Sequence, residues 1–471
     1  MKLHFLGAAR CVTGSMHVLE VGGRRVVLDC GLHQGKRSES YQKNAQISPV
    51  AIGADAVVLS HAHIDHSGNL PTLVRRGFKG PIHATPATID LCGHLLRDSA
   101  KIQQQDVQYM NERGKKARMK DPFTPLGEPV PALYEMDDVE ETVRRFTPAA
   151  YRTPFEVVPG VRAMFYDAGH ILGSAITVLE LEEKGRKVRI GFTGDLGRSG
   201  QPILQDPQRP PWSFDYLITE STYGDRVHEA VPRLKQKLKE IVRLAFDQNG
   251  RVLIPAFAVG RTQNVVYYLN ELFVEGELPR VPIFVDSPLS VNATEAYRGH
   301  PECFDEETKR ILASDGDPFG FKLLTYIRSA DESKALNAKT GPMVIIASSG
   351  MADAGRILHH LKQGLPKPEN VVLIVGYQAE HTLGRRLLDR HPKVRIHGED
   401  VRVRCRVEKI NGFSAHADRE EISCYIKNLE GLRGCFVVHG EERASLSLAG
   451  RLAELEVSGV HVPAPGEAIE L

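Results

Sequence analysis

The segment His61-Ala62-His63-Ile64-Asp65-His66 gathers four side chains able to bind a metal within six residues. Imidazole nitrogens suit zinc, and a carboxylate neutralises part of the added charge. The segment follows an apolar run, ADAVVLS, and precedes a helix-like stretch, SGNLPTLVRRG, so it sits at the end of a strand, where its ligands can face two ions at once. A single histidine here would be a satisfied loop residue; four ligands together are not explained that way. Three further residues stand just beyond strand-like runs: His170 in FYDAGHILGS, Asp195 in FTGDLG and His439 in VVHGE. Each alone would be an ordinary turn or surface residue. Together they bring the set to seven ligands, enough for two tetrahedral or five-coordinate ions sharing a bridging carboxylate and a bridging hydroxide.

Strand patterns are expected over residues 1–5, 17–21, 25–29 and 54–60, from their β-branched runs, alternation and Gly-rich turns. Helices are expected over about 88–113 and 137–146, around a Pro-rich loop at 121–131, and strands return at 161–167, 175–181, 188–193 and 216–219. From about Thr222 the rhythm becomes strand then helix, as in RVLIPAFA followed by VGRTQNVVYYLNELF and MVIIASSG followed by MADAGRILHHLK. That alternation predicts a parallel sheet with helices on both faces, where ligands meet the carboxyl ends of the strands. A late strand, CFVVHGE, is expected to rejoin the first sheet. The boundaries that follow are 1–221, 222–415 and 416–471, a domain interrupted by a second one.

A chain of 471 residues fits two cores better than one. With 42% hydrophobic and 25% charged residues and no long apolar run, it reads as a globular protein without a membrane span. The start, MKLHFLGAARCVTGS, alternates as a strand does and lacks the pattern of a secretory leader, which makes the cytoplasm the expected compartment. Seven scattered cysteines with no C-x-x-C pair argue against a disulfide framework and a cysteine zinc knuckle. The formal net charge of +1 leaves partners undefined, so any field that attracts nucleic acid must be local. The basic run Arg113, Lys115, Lys116, Arg118 and Lys120 is most simply a solvated loop.

The ordered series LDCG (Asp29), HAHIDH, DAGH and TGD resembles the metallo-β-lactamase superfamily, and TEST (Glu220), FSAH (His416) and VHGE (His439) resemble the three extra motifs of its β-CASP nucleases. The resemblance spans the whole chain. It implies an α/β fold, a metallo-β-lactamase αββα sandwich with an inserted β-CASP domain of parallel sheet flanked by helices. It implies two Zn2+ per chain, one held by His61, His63 and His170, the other by Asp65, His66 and His439, with Asp195 bridging. Asp29 would orient the ligand cluster from behind. Catalysis would rest on His416, Glu220 and Asp65, with His416 as general acid and Glu220 as its partner. The exchanged assignment, His439 as acid and His416 as ligand, is left open by spacing alone.

The substrate implied is RNA, because members of the branch that act on RNA carry histidine at the last motif and the DNA-repair members an aliphatic residue. In-line attack by a metal-bridging hydroxide would leave 5′-phosphate and 3′-hydroxyl ends. DNA is not chemically excluded, so RNA preference would come from contacts to the 2′-hydroxyl and cleft shape. The strand-end loops carrying Arg261, Ser287, Ser348, Ser349 and Gly350 open helices whose N–H groups and dipoles attract phosphate. Ordinary N-capping by serine accounts for any one of them equally well. His381, where many relatives have glycine, reads as a bystander. The competing readings are a small-molecule metallo-hydrolase, which would lack the insertion and the FSAH motif, a non-catalytic RNA-binding scaffold, which would usually have lost ligands, and a flavodiiron-type oxidoreductase, which would need a carboxylate in place of His63 and a flavin domain. A homodimer is compatible with the sequence, which leaves the oligomeric state open.

Overall fold

Alternating burial shapes the first strands. In Lys2–Phe5, Leu3 and Phe5 point into the core while their neighbours stay half-buried, the two-residue period of a pleated strand. The structure, a computed structural model, describes residues 1–35, 37–116, 131–228, 231–314, 316–376, 378, 381–410 and 412–471. Arg118, Lys120 and the Pro-rich stretch 121–130 lie outside the described residues.

The chain divides into two units, Met1–Ser199 with Pro207–Val227 and His416–Leu471, and Gly200–Asp206 with His228–Ala415. The first is a sandwich of two seven-stranded sheets. One sheet includes Lys2–Phe5, His17–Val21, Arg24–Leu28, Ala56–Val58 and Ile82–Ala84; the other includes Val161–Asp167, Ala175–Glu183, Arg186–Phe192, Tyr216–Thr219 and Gly434–Val437. Leu19, Leu28 and Val58 from one sheet meet Phe165, Leu179, Ile190 and Phe436 from the other in a shared apolar core. On the outer face of the second sheet, Ile422, Tyr425 and Ile426 of helix Arg419–Lys427 and Leu448 and Leu452 of helix Glu442–Glu454 pack on Val178, Leu217, Cys435 and Val437. Layer order is therefore helix, sheet, sheet, helix, with helices Pro49–Ile52 and Pro86–Lys116 against strands of the first sheet. The CFVV strand does not rejoin the first sheet as the sequence suggested; it pairs in parallel with Tyr216–Thr219 in the second.

What positions chemistry is strand direction. Arg24–Leu28 and Ala56–Val58 are parallel neighbours, as are Arg186–Phe192, Tyr216–Thr219 and Gly434–Val437, so within each sheet the carboxyl ends open on one edge. Asp29, His61, Asp195, Glu220 and His439 all follow those ends within three residues. Gly31 allows the loop after Asp29 to close, since a Cβ there would lie 1.6 Å from the Asp65 carbonyl oxygen.

The second unit is a six-stranded sheet in which every pairing is parallel, ordered Leu324–Ile327, Ile283–Asp286, Met343–Ala347, Arg251–Pro255, Val371–Ile374 and Arg406–Lys409. Its two faces bury separate apolar clusters beneath helices, as the strand–helix rhythm implies. Gly200–Asp206 joins this unit because Asp305 N–H donates to the Ile203 carbonyl at 2.9 Å and Gln205 N–H to that of Cys303 at 3.1 Å. The sequence pattern did not foresee the hairpin Lys393–Ile396 and Glu399–Arg402. No described helix is long and apolar enough to cross a membrane. None of the seven cysteines forms a disulfide.

Candidate metal centre

His61 follows its strand directly, His63 stands at the head of the short helix Ile64–Ser67, and Asp65 and His66 lie within that turn. The first group of donor atoms is His61 Nε2, His63 Nδ1, His170 Nε2 and Asp195 Oδ2. His63 Nδ1 is 3.2 Å from His61 Nε2 and 3.1 Å from His170 Nε2, and Asp195 Oδ2 is 3.4 Å from each of the other two. A tetrahedral zinc with nitrogen and oxygen ligands at about 2.0–2.1 Å sets its donors about 3.3–3.4 Å apart. The spacing fits that ion.

The second group is Asp65, His66 and His439, with His66 Nε2 3.1 Å from His439 Nε2 and Asp65 Oδ2 3.5 Å from it. The other oxygen of Asp195, Oδ1, lies 3.2 Å from His66 Nε2 and 3.2 Å from His439 Nδ1. It is buried and accepts no hydrogen bond. Each oxygen of one carboxylate thus faces a different group.

Electrostatics agree with such a donor set. Burial pushes His61 and His63 down to about 4, and it takes His170 well below the usual range, with the charge of His416 adding to the effect. These three are neutral ligands in waiting. Burial works to raise Asp195, but His439, His66 and His416 outweigh it and hold the carboxyl ionised. Asp65 is likewise held low against burial, chiefly through His439 and His66. Burial would lower His66, yet Asp195 and Asp29 raise it well above its ordinary value. A cation held at this group would take the place of the extra proton that these carboxylates favour on His66.

Asp29 is fully buried and anchors this arrangement. It accepts from the Ser60 N–H at 2.8 Å and the Ser60 hydroxyl at 2.9 Å, and it faces His66 Nδ1 at 2.6 Å. That contact fixes the His66 tautomer and directs Nε2 to the ion. Asp29→Ala is expected to weaken metal retention about 10- to 100-fold, read by competition with a chromogenic chelator. Unchanged retention would leave Asp29 no orienting role.

His416 stands apart from both groups. Its Nδ1 lies 3.1 Å from both Glu220 oxygens and 3.7 Å from Asp195 Oδ2, and 20% of its side chain is exposed. Glu220, fully buried, is aimed by the N–H groups of Leu196 at 2.6 Å and Thr222 at 3.3 Å. Burial acts to lower the His416 pKa, but Glu220 and then Asp195 override it and hold the imidazole up at about 9. A backbone bridge between Gly197 and His416 and the buried Arg198 reaching Glu421 at 3.2 Å tie the Asp195 loop to the His416 loop.

Arg261, Ser287, Ser348, Ser349 and Gly350 belong to the second unit. Arg261 is the buried first residue of helix Arg261–Val274. Ser287 caps helix Pro288–Gly299 by accepting from Ser290 N–H, and accepts from the Ser348 hydroxyl at 2.9 Å. Ser349 Oγ accepts from Asp353 and Ala354 N–H, and the Gly350 carbonyl accepts from Gln378. Capping accounts for the serine at 287. His381 is exposed at φ +69°. Sequence reasoning missed Ser60, Thr222 and Arg198. Ser60 adjoins the HAHIDH motif and Thr222 is the last residue of TEST, which is the only signal they gave.

The sequence matches the metallo-beta-lactamase superfamily over residues 9–256, the Beta-Casp domain over 262–387, and the Zn-dependent metallo-hydrolase RNA specificity domain over 400–465. It is 38% identical over 470 residues to ribonuclease TTHA0252 of Thermus thermophilus, covering 100% of both chains. It is 31% identical to transcription termination factor FttA of Cenarchaeum symbiosum, covering 100% of this chain and 71% of that one. It is 30% identical to endoribonuclease YSH1 of Kluyveromyces lactis, covering 94% of this chain and 55% of that one.

Proposed function

Because this chain belongs to the metallo-β-lactamase superfamily, in the branch marked by the Beta-Casp domain, we propose that it is a zinc-dependent ribonuclease cutting RNA internally to leave 5′-phosphate and 3′-hydroxyl ends. The observation that carries this reading is the shared Asp195, whose two oxygens face separate donor groups while the His416–Glu220 pair stands beside them. Relatives named ribonuclease and endoribonuclease support the substrate and the internal cut.

His61, His63, His170 and Asp195 would hold one ion; Asp65, His66, His439 and Asp195 the other. When bound, the pair supplies water activation at neutral pH and stabilises charge on the phosphoryl oxygens. The chain's own residues do the rest. Asp29 and Ser60 keep His66 and His61 in register, since the Ser60 hydroxyl also lies 3.0 Å from His61 Nδ1. His416, oriented through Nδ1 by Glu220, gives its Nε2 proton to the departing 3′-oxygen. A non-catalytic scaffold would need neither the converging donors nor the oriented imidazole.

Protein purified without chelator should hold about two zinc ions per chain by elemental analysis, and it should open a circular RNA to a linear product carrying a 5′-phosphate. Circles that resist while linear RNA disappears would overturn the internal cut, and 5′-hydroxyl ends would overturn attack by water.

A further inference from the structure

Phe257 is an exposed aromatic that the metal chemistry does not use, with 41% of its surface open to solvent. It follows Arg251–Pro255, an interior strand of the all-parallel sheet, at the carboxyl edge where open α/β sheets meet their ligands. The position is fixed. The preceding Ala256 donates its N–H to Ala347 at 3.1 Å, and the Phe257 carbonyl accepts from the Thr262 hydroxyl at 2.7 Å and from its N–H at 3.3 Å.

Gly350 makes room for the ring, and Gly376 borders it at van der Waals distance. A Cβ at Gly350 would fall 2.7–2.9 Å from three of its atoms, and one at Gly376 would lie 3.9 Å from its edge. These glycines stand beyond the neighbouring strands Met343–Ala347 and Val371–Ile374, so the ring borders backbone on that side. The Ser287 and Ser348 hydroxyls, bonded at 2.9 Å, and Ser349 lie on the same edge. A ring left part-exposed on the edge that also carries these hydroxyls contributes less to folding than a buried one would. It matches the way single-stranded nucleic acid is held, with bases stacked on aromatic faces and polar groups along the backbone.

We infer that Phe257 is a stacking platform for one base of single-stranded RNA. The inference rests on the ribonuclease reading and deepens it by naming a substrate contact in the second unit. Stacking on a ring tolerates any base, so the platform adds affinity without sequence preference. Because it neutralises no phosphate, it adds nothing to the salt dependence.

The test uses the full-length, metal-loaded chain, with His416→Ala as the background that blocks turnover. Phe257→Ala should weaken binding of a single-stranded RNA about 10-fold, with the slope of log affinity against log salt unchanged. Phe257→Trp and Phe257→Tyr should restore binding, and Phe257→Leu should not. A strand of abasic nucleotides should bind the same with or without the ring. Restoration by leucine, an equal loss on the abasic strand, or a shallower salt slope would each overturn the platform. A parent protein that neither binds nor cleaves RNA sinks the ribonuclease reading and the platform together, whereas a parent that cleaves, with Phe257→Ala unaltered in affinity, sinks the platform alone.

Discussion

An Asp195→Asn variant is expected to lose both metal ions and to cleave RNA at least about 10⁴-fold more slowly than the parent protein. The magnitude follows from what leaves with the ions: several kcal/mol of charge stabilisation and the lowered pKa of the attacking water, at about 1.4 kcal/mol for each tenfold in rate. The expectation of a double loss follows from geometry, because Oδ2 is 3.4 Å from His61 and His170 while Oδ1 is 3.2 Å from His66 and His439. An amide keeps the shape but removes the charge and turns one of the two acceptors into a donor. Single replacements on either side should divide the effect: His170→Ala should weaken the first site, and His439→Ala chiefly the second. Metal content by elemental analysis, with circular dichroism to show that the chain is folded, separates these outcomes. Two retained ions in Asp195→Asn would remove the bridge.

The sequence made the candidate ligands legible and their arrangement much less so. His61, His63, Asp65 and His66 announce themselves because they are adjacent in the chain, and a strand end followed by a short helix is enough to point them at a common space. His170, Asp195 and His439 needed three more strand ends to converge, and strand direction is what guarantees that. Which sheet a strand joins is a long-range choice that its own residues do not encode. CFVV reads as a strand in isolation, yet its partner is Tyr216–Thr219, more than two hundred residues earlier. Supporting residues were hidden for a different reason. Ser60, Thr222 and Arg198 are ordinary residue types, and only the Asp29, Glu220 and Glu421 carboxylates facing them give them a role. The same limit left two histidines interchangeable on paper. In space they part, His439 lying among Asp65, His66 and Asp195 and His416 against Glu220.

That separation makes His416→Ala the decisive substitution for the acid. The departing 3′-oxygen is strongly basic, and a proton delivered to it in the transition state speeds cleavage by roughly 10² to 10⁴, so the variant should lose that factor while keeping both ions and its affinity for RNA. A substrate with a 3′-bridging sulfur, a better leaving group needing no proton, should recover most of the loss. The pH profile supplies a second reading. Burial would lower this imidazole, but the Glu220 and Asp195 carboxylates push it up to about 9 in the metal-free site, and nearby cations oppose the imidazolium. Because an acid works only while protonated, the parent's rate should fall as pH rises through a pKa at or below about 9, and His416→Ala should lack that limb. A glutamine at 220 should move the limb to lower pH, since the carboxylate that favours the protonated ring is gone. Loss of metal in His416→Ala, with no rescue by the sulfur substrate, would instead make His416 a ligand and pass the role of acid to His439.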